Sequence, residues 1–405
     1  MKILVVSHTY IAHINREKWK TFARKYQDSV IKVLIPKIWP EVMFNLEAGD
    51  VKNDNLQNCE FIPLDTRKPG NEVLYSYKFL DLIKILKNFK PDLVHVEQGD
   101  NALSYFQLIL LSKFFSRKTK FTFFTWVNWK NKWSLKYRLI WNFIEKFNLK
   151  NSSGAIVGND DAAKILIEKN FLKLIETLLQ LGVDQKYFVP EQSVLEQSVP
   201  EQSVPEQSVP LEKYEPKAIY KIGFIGRMVK EKGIFDLVDA FYRLKDSFPN
   251  WKLVFVGDGK DKKEFINYIN KIELNSYIDL LDSVNHEEVG NVLNQFDIFV
   301  LPSYDTSEWR EQFGHVLIEA MACKIPVIGS TGGEIARVVG DGGLVFEQRN
   351  AADLISKLKV LMVSERLRNE FALKGFERFK NNFSYEIIAE KTYNFWQKIL
   401  NHTSS

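Results

Sequence analysis

Glu311-Gln-Phe-Gly-His-Val-Leu-Ile-Glu319, continued by Ala-Met-Ala-Cys-Lys-Ile-Pro-Val-Ile-Gly to residue 329, reads as a loop, a helix mouth and a buried strand over 326–329. Two carboxylates stand eight positions apart, with Phe313-Gly314 between them where the helix begins. Unpaired N–H groups at a helix start attract phosphate, and a glycine there lets an anion approach the backbone. Glu319 lies roughly one turn further in. A ligand with phosphates at the helix mouth, such as a nucleotide sugar, could therefore offer a hydroxylated group to each glutamate. The plainer alternative is an amphipathic helix carrying two solvated glutamates.

Upstream, Ile222-Gly-Phe-Ile-Gly-Arg-Met-Val-Lys-Glu-Lys-Gly233 reads as a strand closing at Gly226, with Arg227 and Lys232 just beyond it. Fixed cations suit a leaving diphosphate, which gains negative charge as its bond breaks. Arginine supplies a bidentate fork and lysine a compact charge. Val256-Gly-Asp-Gly259 ends the next strand in a tight glycine turn, and Asp282-Ser-Val284 follows a third strand just before His286.

Together these segments resemble the retaining glycosyltransferases of family 4, which have the GT-B architecture. The likeness rests on Glu311 and Glu319 at Glu-x7-Glu spacing, their Phe-Gly, Glu-Ala-Met-Ala and Pro-Val-Ile surroundings, and Gly226-Arg227 with Lys232-Gly233. It implies sugar contact for Glu311, ribose contact for Glu319 and a diphosphate clamp from Arg227 and Lys232, the three catalytic candidates being Arg227, Lys232 and Glu311. Donor contacts carried over with it are Gly226, Gly257, Val284, Phe313, Gly314, His315, Val316 and Glu319. The resemblance also implies retention of anomeric configuration, the acceptor hydroxyl entering on the face from which the phosphate departs. No cofactor or metal is expected: the chain has no Asp-x-Asp, and its six histidines form no ligand-spaced cluster in sequence.

A chain of 405 residues suits two cores, and 45% hydrophobic with 26% charged residues is a globular composition. No apolar run approaches the ~20 residues of a membrane span. With only Cys59 and Cys323, neither a disulfide framework nor a cysteine zinc site is expected, and a reducing cytoplasm is the default compartment. Short apolar runs at 3–6, 31–35, 93–96, 120–125 and 154–157 alternate with helical patterns at 74–89, 103–115 and 135–150. The rhythm restarts with strands at 221–225, 252–256, 277–281, 297–301, 326–329 and 343–346, and helices at 235–248, 262–272 and 287–296. Beyond residue 351 the pattern is helical only. This predicts an α/β chain of two Rossmann-like domains facing across a cleft; the resemblance implies in addition that the last helix, around Tyr393, Phe395 and Trp396, crosses back to the N-terminal domain.

The expected divisions are an acceptor-binding domain over 1–185, a linker over 186–217, a nucleotide-sugar domain over 218–383 and a crossing helix with tail over 384–405. The linker carries Pro190-Glu-Gln-Ser-Val repeated four times, Leu195 replacing one proline, up to Pro210. That tract has too little apolar surface to pack, and reads as extended or disordered chain.

In the first domain, family relatives have a glycine-rich loop after strand one, whereas this chain has Ser7-His-Thr-Tyr-Ile-Ala-His-Ile-Asn-Arg16. Side chains would then line the acceptor site, with His13 and Arg16 meeting an anionic acceptor such as a lipid-linked diphosphate sugar. Asn128 takes the place of a histidine common in relatives, and an asparagine cannot shuttle a proton. Glu97 ends another strand, beside His95.

The net charge is +4, but between Lys113 and Lys150 ten Lys or Arg stand against one acid, Glu145, with twelve aromatics interleaved. This suits an anionic membrane surface, reached peripherally at the inner face of the plasma membrane, or a solvated helix over core aromatics; no nucleic acid partner is expected. The implied activity is transfer of a hexose-type sugar from a nucleoside diphosphate to a glycan or lipid-linked acceptor, as in exopolysaccharide or other cell-surface glycan synthesis. Alternatives are a nucleotide-sugar epimerase of the same shape and an inactive, membrane-associated sugar-nucleotide-binding protein.

Overall fold

A computed structural model describes residues 1–40, 45–49, 51–127, 135–179, 182–191 and 217–401. The chain forms two compact units, Met1–Gly182 with Phe383–Ser405, and Val183–Asn382.

Short, unbroken apolar runs become strands buried on both faces, as parallel sheets require. In the first unit these are β1 (Lys2–Val6), β2 (Val30–Pro36), β3 (Cys59–Leu64), β4 (Leu93–Val96), β5 (Lys120–Thr125), β6 (Gly154–Val157) and β7 (Leu174–Thr177). All pair in parallel, in the order β7-β6-β5-β4-β1-β2-β3, with Ile3 opposite both Ile31 and Leu93. Between them run α1 (Glu17–Lys25), α2 (Phe79–Phe89), α3 (Leu103–Phe115), α4 (Leu135–Asn151) and α5 (Asp160–Glu168). Asn159 caps α5, its side chain accepting from the Ala162 N–H.

The second unit repeats the plan with β8 (Tyr220–Ile225), β9 (Trp251–Val256), β10 (Ile278–Leu281), β11 (Ile298–Leu301), β12 (Val327–Ser330) and β13 (Leu344–Phe346), ordered β10-β9-β8-β11-β12-β13 and again all parallel. Its helices are α6 (Ile234–Tyr242), α7 (Lys262–Lys271), α8 (Val289–Leu293), α9 (His315–Ala322), α10 (Ile335–Val339), α11 (Ala351–Val363) and α12 (Glu365–Asn382). In each sheet the chain builds outward from the first strand on one side and resumes on the other. The reversal falls between β1 and β4 and between β8 and β11, and ligands of such sheets bind beyond the strand ends at that switch point.

The last helix, α13 (Tyr385–Asn401), belongs to the first unit and packs on α1. Trp19 and Trp396 stack at 5.7 Å and Tyr26 and Tyr393 at 3.8 Å, while Phe22 fills the gap against Trp396. Gly154 of β6 carries no side chain because Ile399 and Phe395 lie over it.

The structure departs from sequence expectation in several places. The helix expected over 74–89 starts only at Phe79, because Ser76–Tyr77 pair antiparallel with Thr66–Arg67. The one expected over 235–248 ends at Tyr242, and that over 287–296 divides into a 3-10 turn, His286–Glu288, and α8. Strands β3 and β7 are additional. Most of the linker expected over 186–217, and Asn128, lie outside the described residues.

Candidate active site

The elements that carry Arg227, Lys232 and Glu311 end at the switch point of the second sheet. β8 runs out at Ile225, and Gly226, Arg227 and the 3-10 turn Lys230–Lys232 follow before α6. β11 runs out at Leu301, and the loop through Ser303 and Glu311 follows before α9. Lys232 Nζ donates to Glu311 Oε2, joining two candidates 79 residues apart in sequence. Ser303 Oγ donates to the same oxygen at 3.3 Å, and Lys232 Nζ lies 5.1 Å from the centre of the Trp309 ring. The Glu311 carbonyl accepts from the Glu334 N–H, so the loop is also held to the segment after β12. Arg227, by contrast, is exposed and has no ion-pair partner among the described residues. A fixed cation is thus paired and a second one is left open on the same loop.

Gly257 follows β9 with φ +144°, and a Cβ there would stand 2.0 Å from the Gly226 carbonyl oxygen. The glycine is what allows the Arg227 loop to lie against the next strand end. Gly314 starts α9 at φ +80°, a left-handed conformation, and offers no side-chain cap to the first turn. Val316 and His315 are partly exposed on that turn, whereas Phe313 is buried, its ring centre 6.2 Å from that of His315.

Glu319 is buried one turn into α9, and both His286 Nε2 and His315 Nδ1 stand on its Oε1, at 2.6 and 2.8 Å. Burial alone would push this carboxyl up. The charge on His315, and then hydrogen bonds from His286 and His315, overcome it and hold the group down at about 2. The carboxylate is therefore ionised throughout the physiological range, with Oε1 occupied by the two rings. Val284 sits two residues before His286, on the loop that reaches Glu319. His286, Ser303 and Trp309 are site residues that sequence reading missed. The expectation of no ligand-spaced histidine cluster is likewise corrected: the fold gathers His286, His315 and Glu319, with one ligating atom from each within 4.8 Å of the others.

The first unit changes the acceptor candidates. Arg16 is buried: its guanidinium donates from Nε to the Tyr10 carbonyl and from Nη2 to the Ile11 and Ala48 carbonyls, and it pairs through Nη1 with Asp54. It clamps the loop after β1 rather than facing a ligand. Glu97 is likewise engaged within the fold, its carboxylate accepting from Lys18 Nζ at 2.7 Å and Tyr10 OH at 2.9 Å, and its side chain is 4% exposed. Both expectations of acceptor contact are thereby corrected, for the reason that buried charges must be paired. His13 is exposed on the same loop.

Residues 206–378 match the family described as glycosyl transferases group 1. The match falls within the second unit. An uncharacterized glycosyltransferase of Methanocaldococcus jannaschii is 38% identical over 170 residues, which are 41% of this chain and 45% of that protein. The capsular polysaccharide biosynthesis glycosyltransferase CapM of Staphylococcus aureus is 30% identical over 189 residues, 45% of this chain and 47% of its own length. The chain thus matches about half the length of these relatives. In fold, it resembles Anabaena Alr3699/HepE, solved in complex with UDP, with a TM-score of 0.67 at 14% identity over 98% of this chain and all of that one. The two doubly wound units are those of a GT-B glycosyltransferase fold, and the group 1 match falls on the unit that carries Arg227, Lys232, Glu311 and Glu319.

Proposed function

We propose that this chain is a retaining, metal-independent glycosyltransferase that moves a hexose-type sugar from a nucleoside diphosphate to a glycan acceptor, lipid-linked in cell-surface polysaccharide assembly. The observation that carries the reading is the Lys232–Glu311 pair at the switch point, with Arg227 open beside it. The diphosphate lies at the uncapped mouth of α9, against Arg227 and Lys232, which supply the charge that a divalent ion brings to other glycosyltransferases. Glu319 accepts from the ribose hydroxyls through Oε2, while the two histidines keep Oε1. Glu311 orients the sugar hydroxyls, and the base rests by Val284. The acceptor oxygen forms its bond to the anomeric carbon as the bond from that carbon to the phosphate oxygen breaks. The acceptor proton passes to the departing phosphate, so no side chain acts as a general base. The UDP complex of the Anabaena protein and the capsular role in the name of CapM support the donor class and the polysaccharide setting.

The test is incubation of the protein with labelled UDP- and GDP-sugars, with and without membrane lipid extract. Lipid-dependent transfer of label, insensitive to EDTA, is expected. Conversion of the donor without lipid, or loss of turnover on chelation restored by a divalent ion, overturns the reading.

A further inference from the structure

Helices α3 and α4 pack side by side on the first unit, and one face of the pair turns outward. Trp141, Ile144 and Leu149 bury the inner side of α4, where Asn148 Nδ2 also donates to the Asp100 and Ala102 carbonyls. Leu139, Phe143, Lys146 and Lys150, spaced four, three and four apart, share the opposite side. Leu139 is 79% exposed, Phe143 62% and the flanking Ile140 57%, which is unusual for three large apolar groups on a single helix. Lys113 of α3 reaches across to within 4.6 Å of the Phe147 ring, and Phe106 joins that ring at 4.8 Å. Lys113 near the end of α3, Arg117 and Lys118 just beyond it, and Lys146 and Lys150 on α4 have no ion-pair partner among the described residues. The sequence from 113 to 144 holds no Asp or Glu, and Glu145 turns away to Lys169.

We propose that this α3–α4 face docks on an anionic lipid bilayer. The lysines meet headgroup phosphates, while Leu139, Ile140 and Phe143 enter the boundary of the acyl chains. A second copy of the chain would bring like charges together. A nucleic acid would find two aliphatic side chains where it needs planar rings to stack on. No helix among the described residues is long and apolar enough to cross a membrane, so attachment is peripheral. The inference goes beyond the donor chemistry and is tested without any nucleotide.

The experiment is co-sedimentation of the full chain with phosphatidylcholine vesicles, with and without phosphatidylglycerol. Binding to the phosphatidylglycerol vesicles alone, weakened by added salt, is expected. Each lysine at the surface contributes about fivefold to partitioning, so Lys146→Gln with Lys150→Gln lowers it at least tenfold. Leu139→Ser with Phe143→Ser also lowers it, at unchanged charge. Circular dichroism of each variant checks that the fold persists. Equal binding to neutral vesicles, wild-type binding by a folded lysine double variant, or a concentration-dependent dimer that Leu139→Ser with Phe143→Ser dissociates overturns the proposal.

Discussion

Arg227 and Lys232 lie on one loop, yet their surroundings ask different things of them. Arg227 is exposed and unpaired among the described residues, so Arg227→Ala removes nothing the fold uses. Its melting temperature should match wild type while turnover falls about 10²–10³-fold, the loss typical of a donor aimed at developing charge; retained turnover removes Arg227 from the mechanism. Glu319 carries a pH prediction. Its folded-state pKa is depressed from 4.5 to about 2, so its contribution is present above about pH 4.5 and is lost as pH falls towards 2. That is about 3 kcal/mol of acid-sensitive stability. His286→Ala removes the closer of the two ring hydrogen bonds, and acid unfolding should then begin at higher pH. The Glu319 motif was legible because its neighbours are local in sequence. His286 was not, since 33 residues separate it from Glu319 and only the order of strands brings them together. Arg16 and Glu97 misled for a related reason: sequence shows charge at a strand end, but not the buried carbonyls, Lys18 or Asp54 that claim it.

At the scale of elements, apolar runs announced the strands buried on both faces, and most boundaries fall within a residue of expectation. The strands missed in the first sheet lie at its edges. β3 and β7 are the two outer strands of the first sheet; Cys59–Leu64 includes Pro63, and Leu174–Thr177 is half polar. An edge strand tolerates both, so its pattern is weaker than that of a central one. The turn at Gly257 shows how an element end sets the site. In Gly257→Ala the new methyl meets the Gly226 carbonyl oxygen, a backbone atom that can move only with the Arg227 loop. Denaturant unfolding should show a loss of about 1–3 kcal/mol, with weaker nucleoside diphosphate binding. Gly49→Ala is the control: its φ is +62° but nothing lies within 4 Å of the added carbon, so only the backbone penalty of about 1 kcal/mol should appear, with binding unchanged. Equal binding by both variants would separate the turn from the site.

At the scale of the molecule, each unit has its own sheet and its own core, and the sequence showed this as one rhythm stated twice. The seating of the last helix on the first unit is no part of that rhythm; the family resemblance implied it. Trp396 is wholly buried between Trp19, Phe22 and His95, all in the first unit. A nucleoside diphosphate binds the second unit under the proposed function, and stabilises only what it binds, by about 2.7 kcal/mol at a hundred times its dissociation constant. Calorimetry of the wild type and of Trp396→Ala, each with and without UDP, therefore addresses the two cores separately. The substitution removes a large buried ring at a cost of about 3–5 kcal/mol and should lower the transition of the first unit. UDP should raise the transition of the second unit by the same increment in both proteins. An increment that vanishes in the Trp396 variant would mean that the nucleotide's grip depends on how α13 is seated on α1, and the donor site would then no longer be a property of the second unit alone.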